Sequence, residues 1–196
     1  MSPFENAVDQ LASRVRGLDL RAQVALFMTA ANVMGARWTE WAMATNYLPH
    51  AQVFERAVGL ASDFATGRAR EVPRDALEEV EAATPSDQSD VPGFTTAQDC
   101  WICLDTSLRS ALGEFDPADS TWYLLEPLFQ TVSESRFGYA DVGTNGQEAA
   151  ESAVLADPAV LAAVTAIDRA IELLGSRPID AMLLDELEVM LKVISP

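Results

Sequence analysis

The chain carries two cysteines three residues apart, Cys100 and Cys103, within AQDCWICLD at residues 97–105. Thiols at that spacing serve as redox dithiols or as half of a zinc site. The surrounding pattern predicts a helix opened by a Thr96-x-x-Asp99 cap and closed by Gly113. At about 100° per residue, its apolar stripe is Ala97, Trp101, Leu104, Leu108, Ala111 and Leu112. Cys100 falls at the edge of that stripe, and Cys103 lies further round, towards Asp99. A reactive thiol needs a helix N-terminus or a neighbouring cation to favour its thiolate. The nearest charges are instead Asp99 and Asp105, which repel a thiolate. Arg109 is spaced i, i+4 from Asp105 and is placed to pair with it. The two cysteines therefore read as small core residues beside a tryptophan.

The remaining candidates for chemistry are incomplete. A thioredoxin-type dithiol needs a βαβ setting, and strand patterns are missing here. The all-helical hydroperoxidase-like pattern has a histidine four residues after its second cysteine; Ser107 stands at that position. Two cysteines and one histidine, His50, cannot complete a zinc site or a di-iron bundle. His50 has no triad-like partner at a recognisable spacing. Carboxylate pairs at Glu78/Glu81, Asp116/Asp119 and Asp185/Glu188 match no calcium loop and read as solvated helix faces. No glycine-rich phosphate cradle is present, and Lys192 is the single lysine. Trp38, Trp41, Trp101 and Trp122 occupy apolar helix positions, where they serve packing or frame a ligand pocket. No cofactor and no metal is expected.

Charge is the strongest compositional signal. The 196 residues carry a net charge of −17. Residues 1–70 hold six acidic and seven basic side chains, whereas residues 71–196 hold 24 and six. Such a surface repels phosphate backbones and anionic lipid, so neither nucleic acid nor membrane is an expected partner. It suits a basic protein. The candidate partner surface is the acidic stretch marked by Glu78, Glu81, Asp87 and Asp90. The near-neutral first 70 residues offer a face for a homodimer. No apolar run reaches membrane-spanning length, the N-terminus MSPFENAVDQ lacks the features of a signal peptide, and the cytoplasm is the expected compartment.

Punctuation along the chain is helical throughout. Ser2-Pro3-Phe4-Glu5 is a capping box with proline in the first turn. Asp19 caps a long apolar stretch to about Thr45, with a bend expected near Gly35. Leu48-Pro49, Pro73, Thr96, Ser120 or Thr121, Asp157-Pro158 and Arg177-Pro178 open further helices, and Pro127 either bends or starts one. Residues 84–93 and 138–146 read as loop and glycine-rich turn. The expected architecture is a single all-α domain over 1–196, with seven or eight helices around a long, largely buried early helix.

Three stretches carry a family likeness: VALFMTAANVMGARWTEW, the run from LEEVEAATPSDQSD into FTTAQDCWICLDTSLRSAL, and ADPAVLAAVTAIDRAIELL. Together they resemble the YjaG-like family of all-helical bacterial cytoplasmic proteins of unassigned function. Asn32-Val33 stands where that family has a polar pair. The resemblance implies an all-α fold and supplies no functional residues. Three functional readings are open at this point. The first is a non-catalytic binding or regulatory protein, in one form an immunity-type inhibitor of a basic toxin. The second is a thiol-dependent reductase using Cys100 and Cys103. The third is a small-molecule sensor built on the tryptophans.

Overall fold

The computed structural model describes residues 1–45, 47–86, 93–138 and 144–195, without the side chains of 144 and 145. Among the described residues there are nine α-helices and no strand: α1 (Pro3–Arg16), α2 (Leu20–Thr45), α3 (Ala51–Ala65), α4 (Arg74–Ala83), α5 (Phe94–Ala111), α6 (Glu126–Phe137), α7 (Thr144–Leu155), α8 (Pro158–Ser176) and α9 (Ala181–Leu191). Short 3-10 segments cover Leu48–His50, Pro117–Leu124 and Lys192–Ile194. The fold is all-α and compact, with more helices than the seven or eight expected.

Local chemistry explains most boundaries. The Ser2 hydroxyl accepts from the Glu5 backbone N–H while the Glu5 carboxylate reaches back to Ser2 N, closing the box that opens α1. Asp157 caps α8 through the Ala159 N–H at 2.9 Å, ahead of Pro158. Gly67, beyond the end of α3, holds φ at 77°, a left-handed conformation that costs other residues a steric penalty.

Several boundaries differ from the expected ones. Helix α5 begins at Phe94 behind Gly93, not at a Thr96 cap, so its first turn starts three residues earlier. Pro127 lies in the first turn of α6, so it starts a helix and bends none. Ahead of it, Asp116 caps the 3-10 segment Pro117–Leu124 through Ala118 N–H. Helix α7 starts at Thr144, within the stretch expected to be turn, and includes Gly146; residues 139–143 of that stretch lie outside the described residues. Helix α9 is opened by Asp180, whose side chain accepts from Leu183 N–H at 2.8 Å; Arg177 is the extended residue closing α8. Helix α2 runs as one assigned helix through Gly35.

Helices α2 and α5 are the principal packing pair. Cys100 Sγ donates to the Ala31 carbonyl at 3.1 Å, and Ser107 Oγ donates to the Val24 carbonyl at 3.2 Å. As the residue number rises on α5 it falls on α2, so the two helices are antiparallel. Side-chain-to-backbone bonds of this kind need close helix approach, and Ala22, Ala25, Ala30, Ala31 and Gly35 on α2 permit it. Buried side chains from all nine helices, with Val154 as the contribution of α7, merge into one core. No single helix is long and apolar enough to cross a membrane; α7 and α8 reach that length only as a pair bent by 66°.

Candidate functional site

Helix α5 collects the chemically distinctive residues. It buries Ala97, Asp99, Cys100, Trp101, Cys103, Leu104, Thr106, Ser107, Leu108 and Ser110, a distribution covering most of its circumference. The stripe read from the apolar residues alone was therefore too narrow. Small polar residues continue it, each with a hydrogen bond: Thr106 Oγ1 donates across to Ser120 Oγ at 2.9 Å, and Ser110 Oγ to the Thr106 carbonyl of its own helix. Both cysteines are free thiols with no solvent exposure. Burial pushes both thiols well above the ordinary range, with the Asp99 charge as the second cause. Carboxylate repulsion, the effect legible in the sequence, is thus secondary to desolvation. Asp105 pairs with Arg109 as its spacing predicted, at 2.7 Å. Burial still holds the Asp105 carboxyl above its usual range against that pairing.

Asp99 is the residue the sequence reading misplaced. As an expected cap member it would sit at the helix surface; it is 2% exposed and its Oδ2 has no hydrogen-bond partner among the described residues. Burial, reinforced by Glu126, raises its pKa to about 8, so the carboxyl is protonated at neutral pH. Glu126, in the first turn of α6, is half-buried and is likewise held above the usual carboxylate range by desolvation. It accepts from Gln130 Nε2 at 2.9 Å. Tyr123 completes the group: burial, then Glu126, Asp99 and Cys103, raise its phenol. The only sequence signal for a buried Asp99 was its place between Ala97 and Cys100–Trp101.

The aromatic side chains pack on one another in pairs. Trp38 stacks on Phe54 with ring centroids 5.3 Å apart and meets Trp101 edge-on at 5.4 Å. Trp41 packs on Tyr47, whose ring in turn meets His50 at 5.1 Å. Trp122 is half-buried, edge-on to Phe4 at 4.5 Å. The indole N–H groups of Trp38, Trp41 and Trp101 are buried without partners among the described residues. A cleft of about 430 Å³ opens beside Trp38, Phe54, Gly35 and Asn32, and another of about 450 Å³ beside Trp41, Gly93 and Thr131. A third, of about 320 Å³, is lined by Asp105, Arg109, Phe115, Asp119 and Tyr123. Trp101 and Trp122 line none of these three. The third cleft also has the Thr106 and Ser120 hydroxyls in its lining, and these are bonded to each other.

The sequence-marked acids are dispersed. Asp116 and Asp119 both grip Arg16, each at 2.9 Å. Glu188 accepts from Asn32 at 2.7 Å. Glu81 is held by Arg109, whereas Glu78 is exposed on the same helix, α4, without an ion pair. Asp87 and Asp90 lie outside the described residues. No group of three or more metal-ligating side chains comes together among the described residues. Ten arginines are engaged in intramolecular ion pairs; the exposed carboxylates without a cation partner among the described residues include Glu78, Glu134, Glu148 and Asp185, and also Glu5, Asp9, Asp19, Glu55, Glu71 and Asp180.

No protein-family model matches the sequence, and no curated protein matches it. The structure is similar to that of a DUF416 family protein from Shewanella baltica OS155, with a TM-score of 0.69, 19% identity and 92% of each chain covered. That likeness is one of fold, shared with an uncharacterised bacterial family. It does not bear on the YjaG-like name.

Proposed function

We propose that this is a non-catalytic cytoplasmic binding protein that meets a basic protein partner through surface carboxylates, with the buried α2 as the axis of a single helical domain. The observation that carries this reading is the charge left over after the fold has used its cations. The net charge is −17, most arginines are already committed to ion pairs, and Glu78, Glu134, Glu148 and Asp185 remain exposed without one. Carboxylates in that state raise the rate and specificity of encounter with a cationic surface. An immunity-type inhibitor of a basic toxin is one form of this activity. The burial and raised pKa of both thiols count against a reductase. Self-association through α2 would have to use Ala36, Met43 and Ala44 of its second half, since residues 24–31 are buried. Affinity capture followed by stepwise salt elution tests the proposal. A basic protein released by rising ionic strength supports it; capture indifferent to salt refutes it.

A further inference from the structure

We propose that the outward face of α9 is the seam of a weak two-fold homodimer, in which Asp185 of one chain pairs with Lys192 of the other. Helix α9 buries Leu183, Leu184, Leu187 and Leu191 against the body, chiefly against α2 and α8. At about 100° per residue, the opposite face carries Met182, Asp185, Val189, Lys192 and Val193, all of them exposed. The 3-10 segment Lys192–Ile194 continues the helix, with Lys192 itself in helical conformation, and so keeps the last two residues on that face. Met182 and Val189 are 72% and 68% exposed, among the largest exposures of an apolar side chain in the described residues.

The charges on this face select the occupant. Asp185 and Lys192 have no ion pair among the described residues, and Lys192 is the single lysine of the chain. They stand three residues before and four residues after Glu188, on one flank of Val189. Met182 and Val193 stand six before and five after it, on the other flank. A second copy of α9 laid antiparallel, with the two-fold axis at the level of Glu188, therefore matches each position with its complement. Asp185 faces the partner's Lys192 twice over, Met182 covers the partner's Val193, and the two Val189 side chains meet beside the axis. A parallel arrangement would set Asp185 against the partner's Asp185 and Lys192 against the partner's Lys192, so sign alone selects the antiparallel one. The other charges of α9 are answered within the chain. Asp180 caps the helix on Leu183 N–H, Glu186 pairs with Arg177, and Glu188 accepts from Asn32. The net charge of −17 opposes association, but charges further apart than about 8 Å are largely screened at physiological ionic strength. A single helix pair buries less than the roughly 1,000 Å² of a stable interface, so the dimer is weak and concentration-dependent. Asp185 then serves the seam, and Glu78, Glu134 and Glu148 stay open to a basic partner.

The test is the weight-average mass by sedimentation equilibrium, from micromolar to millimolar protein at physiological ionic strength. The unaltered protein should climb from the mass of one chain towards that of two. Asp185→Lys and Lys192→Glu each set like charges against one another at both ends of the seam, and each should weaken dimerisation at least about tenfold. The double variant carrying both changes should regain it, and so should an equimolar mixture of the two single variants, because each restores opposite signs across the seam. A chain that stays single at every concentration overturns the proposal. So does a dimer that ignores both single reversals, or a double variant no better than the single ones. Should a variant not fold, carbodiimide coupling of the unaltered protein decides the matter. A covalent dimer whose cross-linked peptide joins Lys192 to Asp185 supports the seam, and coupling elsewhere or none ends it.

Discussion

Replacing Asp99 by asparagine should change how stability depends on pH, by an amount the structure sets. The carboxyl titrates near 3.8 when the chain is unfolded and at about 8 in the fold. Below the lower value both states are protonated and the residue costs nothing. Between the two, the unfolded chain ionises while the folded one cannot. Unfolding then gains about 1.4 kcal/mol per pH unit. The accumulated penalty is about 4 kcal/mol at pH 7 and levels off above pH 8, where both states are ionised. Asparagine keeps the shape and removes the charge, at a cost of about 1–3 kcal/mol for burying an amide that lacks partners. The variant should therefore equal or trail the original protein at pH 5 and exceed it by about 2–4 kcal/mol at pH 8. Urea unfolding at pH 5, 6, 7 and 8 reads this directly as a difference in free energy that grows by about 1.4 kcal/mol per unit up to pH 7 and more slowly beyond. A difference that stays level across those pH values would show that Asp99 is not a buried, neutral acid.

Three further substitutions probe the packing. Trp101→Ala removes a ring with no solvent exposure, wedged between Trp38 and Phe54 at 5.4 and 5.5 Å, and should cost about 3–5 kcal/mol in a chemical-denaturation experiment. Gly67→Ala puts a Cβ at a φ of 77° and against the Arg21 guanidinium; it should lower the melting temperature by a few degrees, corresponding to about 1 kcal/mol or more. Arg109→Ala strips the partner from the half-buried Asp105 and frees Glu81, for a loss of about 1–2 kcal/mol that shrinks as pH falls and Asp105 is protonated. Thermal or urea unfolding at two pH values checks the last two.

Helix starts with an acid or hydroxyl beside proline were legible in the sequence, because the capping atoms are local. Ser2-Pro3 and Asp157-Pro158 both open helices as read. Boundaries set by tertiary packing were not. Helix α5 begins at Phe94, whose ring packs near Trp41 at 6.1 Å, and no local rule anticipates a start two residues before the apparent cap. Helix α7 was missed because its Gly-rich beginning outweighed the QEAAESAVL that follows. Asp99 was the larger failure. Hydrophobic periodicity assigns a carboxylate to the solvent side, whereas a helix enclosed by α2, α3, α4 and the Pro117–Leu124 segment has almost no such side. The fate of the cysteines was legible, though by a secondary cause: repulsion was visible, and desolvation needed the neighbours. The acidic surface was legible as a sum and not as a pattern, since the pairing of Glu81 with Arg109 joins residues 28 positions apart.

The claim at the centre of this account is that unpaired carboxylates form the binding surface. It is tested most directly by measuring affinity for the captured partner against salt, with the original protein and with a variant carrying Glu78→Gln, Glu134→Gln, Glu148→Gln and Asp185→Asn. The account predicts weaker binding by the variant and a clearly shallower fall of affinity with ionic strength. Identical affinity and an identical salt slope for the two proteins would contradict it.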